Sequence, residues 1–100
     1  MKFRFLYRGE PVGSVECREG EYLYDFRDDF FWLENYIADL LSAPIYDGER
    51  KLFPPAKEHM RATMKFFSIL KTTDMDWKRF VDAVGGDIRE IEVREVPDEG

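Results

Sequence analysis

The spacing of the hydrophobic residues changes near position 28, and this change limits what the chain can fold into. Before it, in residues 2–26, aromatic side chains take alternate positions, as in Phe3, Phe5 and Tyr7, and two glycine-containing turn sequences interrupt them. A period of two is typical of half-buried β-strands. The first quarter of the chain therefore predicts a meander of three antiparallel strands.

After position 28 the hydrophobic residues recur at helical spacing, which predicts three helices. Aspartate and threonine favour helix N-caps, proline favours the first turn, and glycine favours the position after the last turn. These signals give a helix over 30–41 capped by Asp28 or Asp29, a second after Pro54-Pro55, and a third capped by Thr73 and ended by Gly85-Gly86. Asp47-Gly48, between the first two helices, predicts a turn or short hairpin.

A last strand follows from Ile88, Ile91 and Val93, so the element order is βββαααβ. We expect an α+β fold in which a small antiparallel sheet carries all three helices on one face. One hundred residues fit one domain, residues 1–100, with 97–100 as a frayed tail.

The two terminal strands are expected to be neighbours in the sheet. The first offers Lys2 and Arg4 on its polar face, and the last offers Glu90 and Glu92. Opposite charges across paired strands attract, which favours this arrangement.

Composition indicates a cytoplasmic protein with no membrane segment. No apolar run approaches the roughly 20 residues that span a bilayer, and residues 1–5 lack the apolar core of a signal peptide. Cys17 is the only cysteine, which excludes an internal disulfide and a zinc site made of cysteines. The absence of glutamine and the single asparagine, Asn35, give a further hypothesis, a thermophilic source.

The formal net charge of −6 argues against general nucleic-acid binding, which needs a surplus of Lys and Arg. The exception is the stretch 54–72, where four basic residues and one acidic residue give +3. Within it Lys57, Arg61 and Lys65 share one helical face, so they form a candidate site for an anion or for nucleic acid. A solvated face, or a face paired with the acidic first helix, is the simpler interpretation.

The aromatic run Phe30-Phe31-Trp32 gives the candidate partner-binding residues. Consecutive helical residues point about 100° apart, so these three rings cannot share one buried face. Phe31, Trp32 and Tyr36 fall on the polar side of the first helix or at its edge. The alternatives are an exposed patch for a partner or for self-association, and rings covered by a neighbouring segment.

The second helix has an apolar sector wider than one sheet would cover. Ala62, Phe66 and Ile69 extend it, which predicts either a neighbouring helix or a partner subunit there. His59, the only histidine, lies on the apolar side and is interpreted as a structural residue bonded to nearby backbone.

No set of residues indicates catalysis, a cofactor or a metal. One histidine removes most acid–base and nucleophilic arrangements, and the acidic clusters lack the spacing of a calcium loop. The sequence therefore favours a non-catalytic protein-interaction module, namely an inhibitor, an immunity-type protein or an accessory subunit, with a homodimer left open. Nucleic-acid or anion binding through the second helix is the alternative.

Overall fold

A computed structural model gives the structure of residues 1–97, with the Asp47 side chain outside the description. Residues 98–100, most of the expected frayed tail, lie outside the described residues. The strands and helices in chain order are β1 (Lys2–Tyr7), β2 (Glu10–Arg18), β3 (Glu21–Phe26), α1 (Phe31–Ser42), β4 (Ile45–Asp47), β5 (Arg50–Leu52), α2 (Lys57–Leu70), α3 (Trp77–Val84) and β6 (Ile91–Val96).

Four strands form an antiparallel sheet in the order β3-β2-β1-β6, and the helices pack on one of its faces. The predicted fold class, the element order and the neighbouring terminal strands are confirmed. The two short strands β4 and β5 form a separate hairpin where the turn at residues 47–48 was predicted. The molecule is a two-layer slab of 37 × 32 × 18 Å.

The register of β1 against β6 differs from the charge pattern used to predict the pairing. Arg4 faces Arg94, so the expected attraction of Lys2 and Arg4 to two glutamates across the strands was wrong. Glu90 lies in a 3₁₀ turn before β6 and instead pairs with Arg8, with 3.2 Å from Oε2 to Nη2. Hydrophobic packing on the other face, where Phe5 faces Val93, therefore decides the register.

The core of the sheet depends on a glycine in β2. Gly13 faces Phe5 on one side and Phe26 on the other, and the Phe26 ring covers the space where a side chain would stand. A Cβ at Gly13 would lie 2.0 Å from Cδ2 of Phe26. The two rings can therefore approach to 5.4 Å between centroids.

The ends of the helices differ in part from the sequence prediction. Asp76 caps α3 by accepting from the Arg79 N–H at 3.3 Å, so Thr73 is not the cap. Neither Asp28 nor Asp29 caps α1, because both lie in a preceding 3₁₀ turn. Gly85 ends α3 in the left-handed conformation at φ 95°, as predicted.

Candidate binding surface

The three aromatic residues predicted to bind a partner do not form one surface. Phe31 is 58% exposed, whereas Trp32 and Tyr36 are half-buried. On α1, Phe31 points in a different direction from Trp32 and Tyr36, since each helical position is rotated by about 100° from the one before it.

The segment from α3 to residue 86 covers the flank of α1 that carries Trp32 and Tyr36. The Tyr36 ring lies 5.4 Å from Phe80, edge to face, and the Trp32 ring lies against Gly86, where a Cβ would come within 2.2 Å of the indole. The structure thus places these two rings inside the helical layer and leaves Phe31 alone on its side.

The predicted basic stripe is exposed, but its central residue is paired. Lys57, Arg61 and Lys65 all lie on the solvent side of α2. Arg61 Nη2 lies 3.1 Å from Oε1 of Glu95 on β6, and Lys65 lines the same shallow groove. The carboxylate offsets the positive charge at the middle of the stripe, which weakens the field that an anion would meet.

A different surface concentrates exposed hydrophobic side chains. Tyr46 is 67% exposed, Phe66 42% and Ile69 53%. Tyr46 and Phe66 line one groove of about 240 Å³ between the end of α1, β4 and α2, and Ile69 follows Phe66 on the same side of α2. We call this the α1–α2 groove, and its lining residues are Leu40, Ala43, Pro44, Ile45, Tyr46, Thr63 and Phe66.

The sequence analysis identified the α2 side of this surface but not Tyr46. The wide apolar sector of α2, extended by Ala62, Phe66 and Ile69, predicted either a neighbouring helix or a partner subunit on that side. Tyr46 was missed because residues 45–53 were interpreted as a connector with a turn or short hairpin at Asp47-Gly48, and no side chain of it was assigned an outward direction. The signal that could have found it is the alternation of Ile45 and Leu52, which face each other in the hairpin and direct Tyr46 outward.

The groove also contains a buried polar group without a partner. Thr63 is 1% exposed, and its Oγ1 has no hydrogen-bond partner in the part of the chain that the structure describes. Threonine on a helix has two accessible χ1 rotamers, so its hydroxyl can turn between neighbouring directions. The oxygen itself is enclosed, so an occupant of the groove would meet it only after a change of rotamer.

No protein family, curated protein or solved structure matches this chain. The candidate surface therefore rests on its geometry alone.

His59 has the structural role that the sequence predicted. Its Nε2–H donates to the Leu41 carbonyl at 3.1 Å, which ties α2 to the end of α1, while Nδ1 has no partner among the described residues. Burial lowers the pKa of His59 and outweighs the opposing effect of the Leu41 carbonyl. The imidazole is fully buried and stabilises this helix junction.

The other side chains that could react or bind a metal are either buried or not grouped together in the described residues. Cys17 is buried in the sheet beside Tyr22. Within residues 1–97, no three His, Cys, Asp or Glu side chains come together in a group that could hold a metal ion. No helix in the same range has the length and apolar character needed to cross a membrane.

Proposed function

We propose that this protein is a non-catalytic binding module that acts through the α1–α2 groove. The observation that carries the proposal is the meeting of two exposed aromatic side chains, Tyr46 and Phe66, around a recess of about 240 Å³, with the exposed Ile69 one turn further along α2. Tyr and Phe are enriched at the centres of protein interfaces, where a few such anchors supply most of the affinity. An inhibitor, an immunity-type protein or an accessory subunit would use such a surface.

The proposal differs from the sequence hypothesis in its site. Of the earlier candidates, only Phe31 offers a large exposed ring. Phe31 stands apart from the groove, and the described residues give it no ring contact. It therefore serves as a control for the effect of an exposed aromatic residue that is not part of the groove.

The test compares Phe66→Lys with Phe31→Lys. Each variant and the wild type are immobilised and exposed to extract from the source organism, and retained proteins are identified, purified and titrated calorimetrically. We expect a partner that binds the wild type and Phe31→Lys but loses at least tenfold in affinity for Phe66→Lys, since burying a lysine charge at an interface centre is costly. Loss with Phe31→Lys and retention with Phe66→Lys would refute the groove as the site.

The cytoplasmic location and the thermophilic source stay predictions attached to this proposal. The pattern that supports a thermophilic source is the depletion of amides together with 36% charged residues. A melting temperature within the mesophile range of about 45–65 °C would contradict it.

A further inference from the structure

We infer that β6 is the edge through which two copies of this chain associate. Each copy adds its β6 antiparallel to that of the other, with Val93 facing Val93 across a two-fold axis perpendicular to the sheet. The two sheets then continue into one, and the helices of both copies lie on the same face. This contact is separate from the α1–α2 groove, which no residue of β6 lines.

The backbone of β6 is paired on one side only, since β6 is an edge strand whose neighbour is β1. The Cys17 N–H donates to the Met1 carbonyl at 2.8 Å, so the odd positions of β1 bond to β2 and its even positions bond to β6. Because Arg4 faces Arg94, the even positions of β6 are the ones bonded to β1. The N–H and C=O groups of the odd positions 91, 93 and 95 therefore point out of the sheet.

Within the described residues, the unoccupied part of this edge is at Val93 and Glu95. Ile91 is engaged, because its N–H donates to the Ile88 carbonyl and its carbonyl accepts from the Lys71 ammonium group. The N–H and C=O groups of Val93 and Glu95 have no partner in the described part of the chain. An antiparallel partner centred on Val93 pairs both groups of each Val93. It also lets each Glu95 N–H donate to the second lone pair of the opposite Ile91 carbonyl.

The charged side chains of β6 select this register. Glu92 and Arg94 are exposed on the face away from the helices, because Val93 between them packs toward the core. With Val93 on the axis, Glu92 of each copy stands directly opposite Arg94 of the other, so opposite charges meet twice. A shift of the partner by two residues in either direction brings Arg94 opposite Arg94, or Glu92 opposite Glu92. The edge is therefore complementary to itself in one register.

The same register gives a further carboxylate to two neighbouring arginines. Arg4 faces Arg94 across the β1–β6 pair, and Arg4 has no ion pair among the described residues. Arg94 holds Glu92 of its own strand through Nε and Nη2, at 2.9 and 3.2 Å, which leaves the Nη1 donors available. The next position along this row, on the free side of Arg94, is the one that Glu92 of the second copy takes.

The other edge strand of the sheet, β3, does not have such a pattern. It carries Glu21 and Asp25 on the face away from the helices and no basic residue from Glu21 to Phe26. Two copies of β3 would bring acidic side chains together without a counter-charge. The charges thus favour β6 over β3 as the edge that meets a second copy.

The experiment measures the dimer dissociation constant by sedimentation equilibrium for the wild type, Glu92→Arg, Arg94→Glu and the Glu92→Arg/Arg94→Glu double variant. Each single change turns both attractive pairs into repulsive ones, which at the usual strength of cross-strand charge pairs weakens the dimer about 30-fold. The double variant restores both pairs with reversed polarity and should dimerise like the wild type. Lys78→Glu, at an exposed position of α3, changes the net charge as Arg94→Glu does and should also dimerise like the wild type.

A mixture of the two single variants tests the register directly. At a concentration where each variant alone is monomeric, the copy with two arginines meets the copy with two glutamates, and both pairs are again opposite. We expect a heterodimer of about wild-type affinity, which a general loss of folding could not produce. In the wild type, hydrogen exchange of the Val93 amide should slow as the protein concentration rises, because its N–H becomes bonded only in the dimer.

Other results would overturn the inference in distinguishable ways. A wild type that stays monomeric up to about 1 mM, the weak end of specific affinities, refutes the dimer, and the extract experiment tests the α1–α2 groove separately. A wild-type dimer that Arg94→Glu leaves unchanged uses a different face. If circular dichroism shows both single variants folded and their mixture stays monomeric, the register centred on Val93 is wrong.

Discussion

Replacing Gly86 with alanine tests whether the loop after α3 covers Trp32. A Cβ at Gly86 would lie 2.2 Å from Cε2 of the indole, whereas carbon atoms in contact normally lie about 3.5–4.0 Å apart. The φ angle of Gly86 lies outside the left-handed region, so the backbone itself accepts alanine. The cost therefore comes from the contact with Trp32.

Two opposing terms set the size of the effect. Forcing a methyl group into a packed site typically costs about 1–3 kcal/mol, and the Gly→Ala change returns about 0.4–1 kcal/mol by restricting the unfolded chain. We expect Gly86→Ala to lower the free energy of unfolding by about 1–2 kcal/mol. For a domain of this size, that lowers the melting temperature by roughly 4–15 °C.

The control is the same substitution in a Trp32→Leu background. Without the indole the overpacking disappears and only the effect on the unfolded chain remains, so Gly86→Ala should then stabilise by about 0.4–1 kcal/mol. Urea unfolding followed by circular dichroism measures all four proteins of the cycle. Equal losses in both backgrounds would refute the reasoning and would return Trp32 to the set of residues free to meet a partner.

Three further predictions concern buried or capping polar groups. His59→Gln should remove a fall in stability that begins below about pH 6.5 in urea titrations. Burial lowers the pKa of His59 below its ordinary 6.5, so the stability present above that value is lost as the pH falls. An unchanged slope would contradict this. Tyr22→Phe should lower the free energy of unfolding by about 1 kcal/mol. The Tyr22 hydroxyl accepts from the N–H of the residue just before α2, Ala56, at 3.1 Å and donates to its carbonyl at 3.3 Å, whereas Tyr24→Phe removes no such bond among the described residues. Asp76→Ala removes the α3 cap, so it should lower the free energy of unfolding by about 1 kcal/mol and lower the melting temperature with it. A larger loss for Thr73→Ala would favour Thr73 as the cap, as the sequence predicted.

The sheet was predictable because its signal is local. Alternating residues such as Phe3 and Phe5 determine which side of β1 faces the core, and both are buried. The shift in pairing between Phe5 and Leu6 was not predictable. Phe5 faces Gly13 and Leu6 faces Pro11, so Val12 has no partner residue in β1, an offset that no single strand encodes.

The candidate surface was less predictable because exposure depends on distant segments. A helical wheel places Trp32 and Tyr36 at the edge of α1 but cannot show that Phe80 and Gly86 cover them. For α2 the same reasoning predicted a neighbouring helix or a partner subunit at Phe66, and in the described structure this ring is 42% exposed beside β4. The wheel predicts direction, and only tertiary packing decides what lies in that direction.

The position of β1 inside the sheet has a consequence for synthesis of the protein. Its partner β2 follows within a few residues, but its second partner, β6, is made only after all the other described strands and helices. Until then the nascent chain carries an open strand edge rich in aromatic residues, which is a template for aggregation. Lys2 and Arg4 alternate with those aromatic residues and act as gatekeepers. In the finished sheet Arg4 then faces the like charge of Arg94, whose guanidinium Glu92 neutralises at 2.9 Å.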